Sequence, residues 1–190
     1  MRFATILGAV VLSTFAPPTP CRALTPHQNV IILKDDFICQ KYEYHTGKPM
    51  MVLDCGMVFN AFDQIKDPVK QSVLMAISCV ESGFDMDNTT ENCLGKSMGL
   101  MQIHQGILRY FPWKDPYNPY HSVWMADRHL SNVGSVGAYY LGPRGAKLRP
   151  AKAKRYEHRG WVALRQMPWV KKNKQGEPDQ RYWKYFGRKP

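Results

Sequence analysis

The stretch that most constrains this chain is Asp67 to Gly83, DPVKQSVLMAISCVESG. Asp-Pro is a helix start. The aspartate can accept hydrogen bonds from the first free backbone N–H groups, and a proline just inside the helix loses no bond. Val69, Val73, Ala76, Ile77 and Val80 recur at three- and four-residue spacing, which is one apolar face of a helix. Ser82-Gly83 stops it. A helix this apolar has to be covered, so other elements must pack around it.

One carboxylate, Glu81, falls in the last turn of that helix. Val80 and Phe84 flank it, and burial among them disfavours the charged form. The negative end of the helix dipole acts in the same direction. Both effects keep a carboxyl neutral near pH 7, the form that donates a proton. Position alone favours the other reading, an ordinary helix-end glutamate facing water, since perturbed carboxylates are the minority.

With 190 residues the chain has room for one domain of ordinary size. Residues 1–23 read as an export signal: Arg2, an apolar run from Phe3 to Phe15, prolines at 17, 18 and 20, then Cys21-Arg22-Ala23. A retained membrane anchor is the alternative, but the run is short for a bilayer span. Processing would leave no transmembrane segment and an exported protein beginning at Leu24. Four cysteines remain, Cys39, Cys55, Cys79 and Cys93. In an oxidising compartment an even number implies two disulfides, with three possible pairings. The sequential pairing, Cys39 with Cys55 and Cys79 with Cys93, closes two short loops and is the one expected. No cysteine or histidine pair has tight metal-ligand spacing, so neither metal nor cofactor is expected.

The net charge is +11, unevenly placed. Leu24 to Pro143 holds nine Lys and Arg against twelve Asp and Glu, whereas Arg144 to Pro190 holds fifteen against three. The basic end attracts a polyanion, and export favours an acidic cell wall over nucleic acid.

Phe37 to Tyr44 and Pro49 to Cys55 look extended around His45-Thr46-Gly47-Lys48, so residues 24–60 are expected to carry a small β-hairpin extension, with Cys39 and Cys55 on facing strands. Asp85 to Lys96 is polar and turn-like, and Gly99 to Tyr110 can restart a helix. Trp113 to Tyr120 is an aromatic loop. Asn118-Pro119 caps a helix through Leu130, Val133 to Leu141 is a short buried helix ended by Gly142-Pro143, and Ala151 to Gln166 is a helix with a basic face. Lys171 to Asp179 reads as flexible and solvated. Tyr182, Trp183, Tyr185 and Phe186 can dock on the domain or on a ligand. No internal repeat is present. The expected division is an extension to residue 60, a mainly α domain over 61–170 and a basic aromatic tail over 171–190.

Three segments then stand out in order: Glu81-Ser82-Gly83-Phe84, Gly99-Leu100-Met101-Gln102-Ile103 and Ala138-Tyr139-Tyr140-Leu141-Gly142-Pro143. They lie 18 residues apart from Glu81 to Gly99 and 39 from Gly99 to Ala138. The set resembles the soluble lytic transglycosylase family, whose signatures are Glu-Ser, Gly-Leu-Met-Gln and Ala-Tyr-Asn-x-Gly. The resemblance spans about Asp67 to Pro143. It departs at Tyr140, where the family has asparagine, and at Ser122-Val123, near where the family has Asn-Ile. The loop from Glu81 to Gly99 also runs longer and carries Cys93.

The resemblance implies a lysozyme-like α fold with a groove for peptidoglycan glycan strands. It implies Glu81 as the single catalytic acid and base, Met101 and Gln102 lining the groove, Tyr139 near Glu81, and a hydroxyl contact from Thr89 or Thr90. The implied reaction cleaves between N-acetylmuramic acid and N-acetylglucosamine and leaves a 1,6-anhydro end. A Cys79–Cys93 bridge would then pin the longer loop. Asp85 or Asp87 as a second carboxylate would instead make a hydrolytic lysozyme. A non-catalytic wall-binding protein and a nucleic-acid binder are the rivals from other classes. His104 and His121 read as solvent-facing or groove-lining, and Trp113, Tyr117 and Tyr120 as sugar-stacking or core residues. An envelope-spanning secretion or conjugation machine is the expected partner class.

Overall fold

The structure, a computed structural model, describes residues 26–92 and 95–187. The expected export signal, Cys21 and Cys93 lie outside the described residues. Among those described, the fold is mainly helical with a small antiparallel sheet of three strands. No described helix is long and apolar enough to cross a membrane.

Helix α3 (Pro68–Glu81) is the centre of the packing. Asp67 caps it by accepting from the backbone N–H groups of Val69 and Lys70 at 2.9 and 3.3 Å. Every residue from Gln71 to Cys79 is buried. An apolar face alone does not describe such a helix; it is covered on all sides, and its polar members need partners. Gln71 donates to the carbonyl of Phe62 at 3.0 Å and accepts from Lys34 at 2.8 Å. Ser78 donates to the carbonyl of Leu100 at 3.1 Å.

The N-terminal region is helical, not a β-hairpin. Helix α1 (Pro26–Thr46) and helix α2 (Val52–Asp63) replace the two expected strands. Aromatic and β-branched composition over Phe37 to Tyr44 mimics a strand, but packing against neighbours overrides that preference. Phe37 and Ile38 are buried, and in α2 so are Cys55, Val58, Phe59 and Phe62, at helical spacing. These residues belong to the same core as α3, so 24–60 is not an appendage. The Cys39–Cys55 disulfide is present and staples the two helices, with Cα atoms 5.7 Å apart.

The expected helix over Gly99 to Tyr110 is mostly absent. Gly99 (φ 72°) and Gln102 (φ 48°) are both left-handed, and a right-handed helix cannot pass through them. A Cβ at Gly99 would also run into the carbonyl oxygen of Pro116. Strands β1 (Thr89–Asn92), β2 (Gly95–Met98) and β3 (Ile103–His104) form the sheet in that order, and a single turn, α4 (Gln105–Leu108), follows. Residues 85–96, expected to be turn-like, thus supply most of the sheet. Register pairs Thr90 with Ser97 and Ser97 with His104, setting three polar side chains in one row.

Helix α5 (Pro119–Val133) is capped by Asn118, which accepts from Tyr120 and His121. Helix α6 (Val136–Leu148) is broken at Gly142, where φ is 70° and ψ 162°, in line with the stop expected there. Helix α7 (Pro150–Gln166) runs back beside α3 and α6. Gly137 lets α6 and α7 approach, since a Cβ there would lie 2.5 Å from Oε1 of Glu157.

Lys171 to Asp179 is ordered rather than flexible. Asn173 caps its own turn through the N–H groups of Gln175 and Glu177, both at 3.0 Å. Glu177 accepts from the indole of Trp161 at 2.6 Å and pairs with Arg165 at 3.0 Å. A 3-10 helix (Gln180–Tyr185) then buries Tyr182, Tyr185 and Phe186 on the domain. Tyr182, Tyr185 and Phe186 are therefore core residues, and Trp183 is half-buried against them.

Closing a loop of sequence separation 16 restricts the unfolded chain by about 3 kcal/mol on a chain-entropy estimate. Replacing both Cys39 and Cys55 by Ser is expected to lower unfolding free energy by about that amount. Chemical denaturation of the oxidised protein and the double variant measures it. Equal midpoints would show that the bridge is not formed or not stabilising.

Candidate active site

Glu81 is the last residue of α3 and opens onto a cleft of about 370 Å³. The side chain is held by the hydroxyl of Tyr156, which donates to Oε1 of the carboxyl. Burial pushes the Glu81 pKa up to about 7, against smaller opposing effects of the Tyr156 hydrogen bond and the Arg159 charge. Arg159 sits at the end of α3 and donates to the carbonyl of Val80 at 3.3 Å. The expected raised pKa is thus present, and its main cause is desolvation.

The three sequence segments meet here through hydrogen bonds. Ser82, next to Glu81, donates to the carbonyl of Leu100 at 2.7 Å. The hydroxyl of Tyr139 donates to the carbonyl of Met101 at 3.0 Å. The N–H of Met101 donates to Ser122 at 3.1 Å, tying α5 to the same turn. The Gly99 to Gln102 turn is therefore fastened to α3, α5 and α6. Its left-handed backbone leaves N–H and carbonyl groups pointing outward, and these are the groups the three side chains satisfy.

Gln102 lines the cleft, and its amide is fully engaged. It donates to the carbonyls of Asn88 and Gly99, both at 3.0 Å, and accepts from Thr90 at 2.6 Å. Thr90, Ser97 and His104, the row across the sheet, form one wall with Gln102. Tyr139, Tyr140 and Leu141 also line the cleft. Thr89 does not reach the cleft; its hydroxyl meets that of Tyr117 at 2.8 Å. Met101 is fully buried, so its part in the site is played by its backbone.

Glu81 is the one acidic residue lining the cleft among those described. Asp85 and Asp87 lie outside it, and Asp85 caps the N–H of Asp87 at 3.0 Å. His121 accepts from the N–H of Asp115 at 3.2 Å, away from the cleft. Trp113 is 70% exposed and also lies outside the lining.

The expected Cys79–Cys93 bridge is not formed, because Cys79 is a buried free thiol. The reason is geometric. Residues two apart on a helix point about 200° away from each other. Glu81 faces the cleft, so Cys79 faces Lys41 and His45 on the other side of α3. Burial pushes its thiol pKa up to about 11, the range of an unreactive cysteine.

Several site residues were not anticipated. Tyr156 lies within the basic helix expected over Ala151 to Gln166, on its buried stripe with Ala153, Gly160, Ala163 and Leu164. A phenol on a buried stripe requires a hydrogen-bond partner, and that is the signal that could have pointed to it. Burial and the Glu81 charge hold the Tyr156 and Tyr139 hydroxyls well above the usual phenol range, so both remain donors. Tyr140 stacks on Tyr156 with ring centroids 4.3 Å apart and planes within 3°. His129 donates Nε2–H to the carbonyl of Tyr139 at 3.3 Å, and burial holds its pKa down. Arg149 and Lys152 complete the lining.

No protein-family model, curated protein or solved structure matches this chain at a significant level.

Two measurements follow from the carboxyl. A Glu81 pKa near 7 in the folded chain, against an ordinary 4.5, means that the contribution of Glu81 to native stability is fully present below pH 4.5 and is lost as pH rises from there through 7. Glu81→Gln cannot ionise, so it is expected to exceed the parent in stability above pH 7 by about 3 kcal/mol. Melting curves from pH 4 to 9 check this, and a constant difference across that range would contradict it. Tyr156→Phe removes a donor that favours the carboxylate. The Glu81 pKa is expected to rise further, seen in the pH dependence of its carboxyl carbon shift.

Proposed function

We propose that the protein is a peptidoglycan lytic transglycosylase in which Glu81 is both acid and base. The observation that carries this reading is a single carboxyl, desolvated to a pKa of about 7, facing a cleft in which no second carboxylate lies among the described residues. Glycosidases with two carboxylates use the second as nucleophile or to activate water. A cleft with one suits a reaction whose nucleophile comes from the substrate.

N-acetylmuramic acid supplies that nucleophile. Protonated Glu81 gives its proton to the glycosidic oxygen as the bond to the anomeric carbon breaks. The acetamido carbonyl of the same sugar shares the positive charge. The Glu81 carboxylate then takes the proton of the 6-hydroxyl, whose oxygen closes on the anomeric carbon. Water is not consumed, and Glu81 ends protonated. A pKa near the working pH suits a group that must do both.

A mainly helical domain with a short sheet beside the acid supports a lysozyme-like arrangement. The three joined segments support the resemblance seen in the sequence. Export to the cell envelope and service to an envelope-spanning secretion or conjugation machine belong to the same proposal, drawn from the sequence. The basic α7 face and the residues after it would hold the enzyme to the acidic wall.

The protein purified from Leu24 onward is expected to release muropeptides from sacculi, with 1,6-anhydro ends by mass spectrometry. Glu81→Gln is expected to lose at least about a hundredfold in rate while remaining folded. Reducing ends, heavier by one water, would mean a hydrolase. Unchanged release by the variant would remove Glu81 from the mechanism, and binding without release by the parent would mean a wall-binding protein.

A further inference from the structure

The lip of the cleft carries two cations and a phenol beside Glu81: Arg149, Lys152 and Tyr140. Neither cation is in an ion pair with any described residue; the ion pairs of the fold use other lysines and arginines. Lys152 is nevertheless located. Its ammonium lies 5.3 Å from the centre of the Tyr140 ring, where the ring quadrupole attracts it. Tyr140 is itself stacked on Tyr156 at 4.3 Å, which leaves no room between the rings. The ammonium therefore approaches Tyr140 from its open side. The stack that carries the Glu81 partner thus also carries a lysine to the cleft. Arg149 precedes α7 and lines the same lip.

We infer that Arg149, Lys152 and the edge of Tyr140 form a subsite for a carboxylate borne by the glycan, by which the cleft selects muramic-acid-containing strands over uncharged N-acetylglucosamine polymers. The inference rests on the glycan-cleaving reading above and names what that cleft recognises. A guanidinium and an ammonium present only donors, a phenol can donate its O–H, and a carboxylate presents only acceptors. Charge-assisted bonds of this kind are the stronger class. Two chemical sources fit: the lactyl carboxylate of muramic acid when it carries no peptide, or the carboxylates of the stem peptide when it does.

The test uses the Glu81→Gln protein, so that ligands are bound and not cleaved. Calorimetry at low salt compares three probes: an N-acetylglucosamine tetramer, a peptide-free tetrasaccharide with alternating muramic acid, and the same tetrasaccharide with stem peptides. At least one carboxylate-bearing probe is expected to bind about tenfold tighter than the uncharged tetramer. Tightest binding of the peptide-free probe would identify the lactyl group, and that of the third probe the stem. Added to this background, Arg149→Gln with Lys152→Gln is expected to abolish the preference and most of its salt dependence. Lys172→Gln with Lys174→Gln, an equal charge change outside the cleft, is expected to retain both. Equal affinity for all three probes, or a preference that survives loss of Arg149 and Lys152, overturns the subsite. If the native protein still cleaves sacculi under either outcome, the function stands without it. Binding of none of the probes overturns the subsite, and absence of sacculus cleavage as well overturns the function.

Discussion

The chemistry of the cleft depends on keeping one carboxyl out of water at the end of α3. Desolvation alone would make the ionised form too costly, and a hydrogen bond alone would make it too easy. Glu81 sits between these limits because Tyr156 and Arg159 partly offset the burial. Both partners come from α7, so the position of that helix sets the acid's chemistry. The close approach at Gly137 fixes α7 against α6, and the buried faces of α3 and α7 fix it against the acid. A larger residue at 137 would act on Glu81 without touching it.

The turn from Gly99 to Gln102 is the second constraint. Its left-handed residues make it a poor helix and a good junction. Groups that a helix would use internally are offered outward, and Ser78, Ser82, Ser122 and Tyr139 take them up. Each of these bonds is buried, where losing one partner leaves the other unsatisfied at a cost of about 1–3 kcal/mol. The wall of the cleft is thereby fixed before any ligand arrives, as a site that positions a scissile bond requires.

What could be read from the sequence divides along a physical line. Helix α3, its Asp67 cap, the Asn118-Pro119 start of α5 and the break at Gly142 are local features, and local chemistry declares them. The motif segments around Glu81, Gly99 and Tyr139 were legible as sequence, and the structure joins them. What was missed depended on distant packing. Strand-like residues from Phe37 to Tyr44 became helical because Phe37 and Ile38 face a core assembled from segments far along the chain. The α2 pattern at Cys55, Val58, Phe59 and Phe62 has helical spacing, but it begins only where the strand-like run to Cys55 ends. The sheet at Thr89 to His104 was obscured because its strands are short and polar, with one face toward the cleft and no apolar alternation to announce it. Cys79 is a buried free thiol because it lies on the face of α3 opposite Glu81, and that facing depends on packing rather than on cysteine count.

The charges around the cleft follow a similar separation. A cation close to Glu81 would stabilise the carboxylate and take away the proton that the acid must give. Arg159 does this weakly, at the end of α3 rather than in the cleft. Arg149 and Lys152 stand at the exposed lip, where solvent screens their effect on a buried group. An anion docked between them would be screened less, because it would displace that solvent. Cations placed at the mouth can thus recognise a charged ligand while the acid beneath stays neutral, and the same residues moved inward would defeat it. The basic lip and the desolvated acid are compatible because Tyr140 and Tyr156 lie between them as an uncharged spacer.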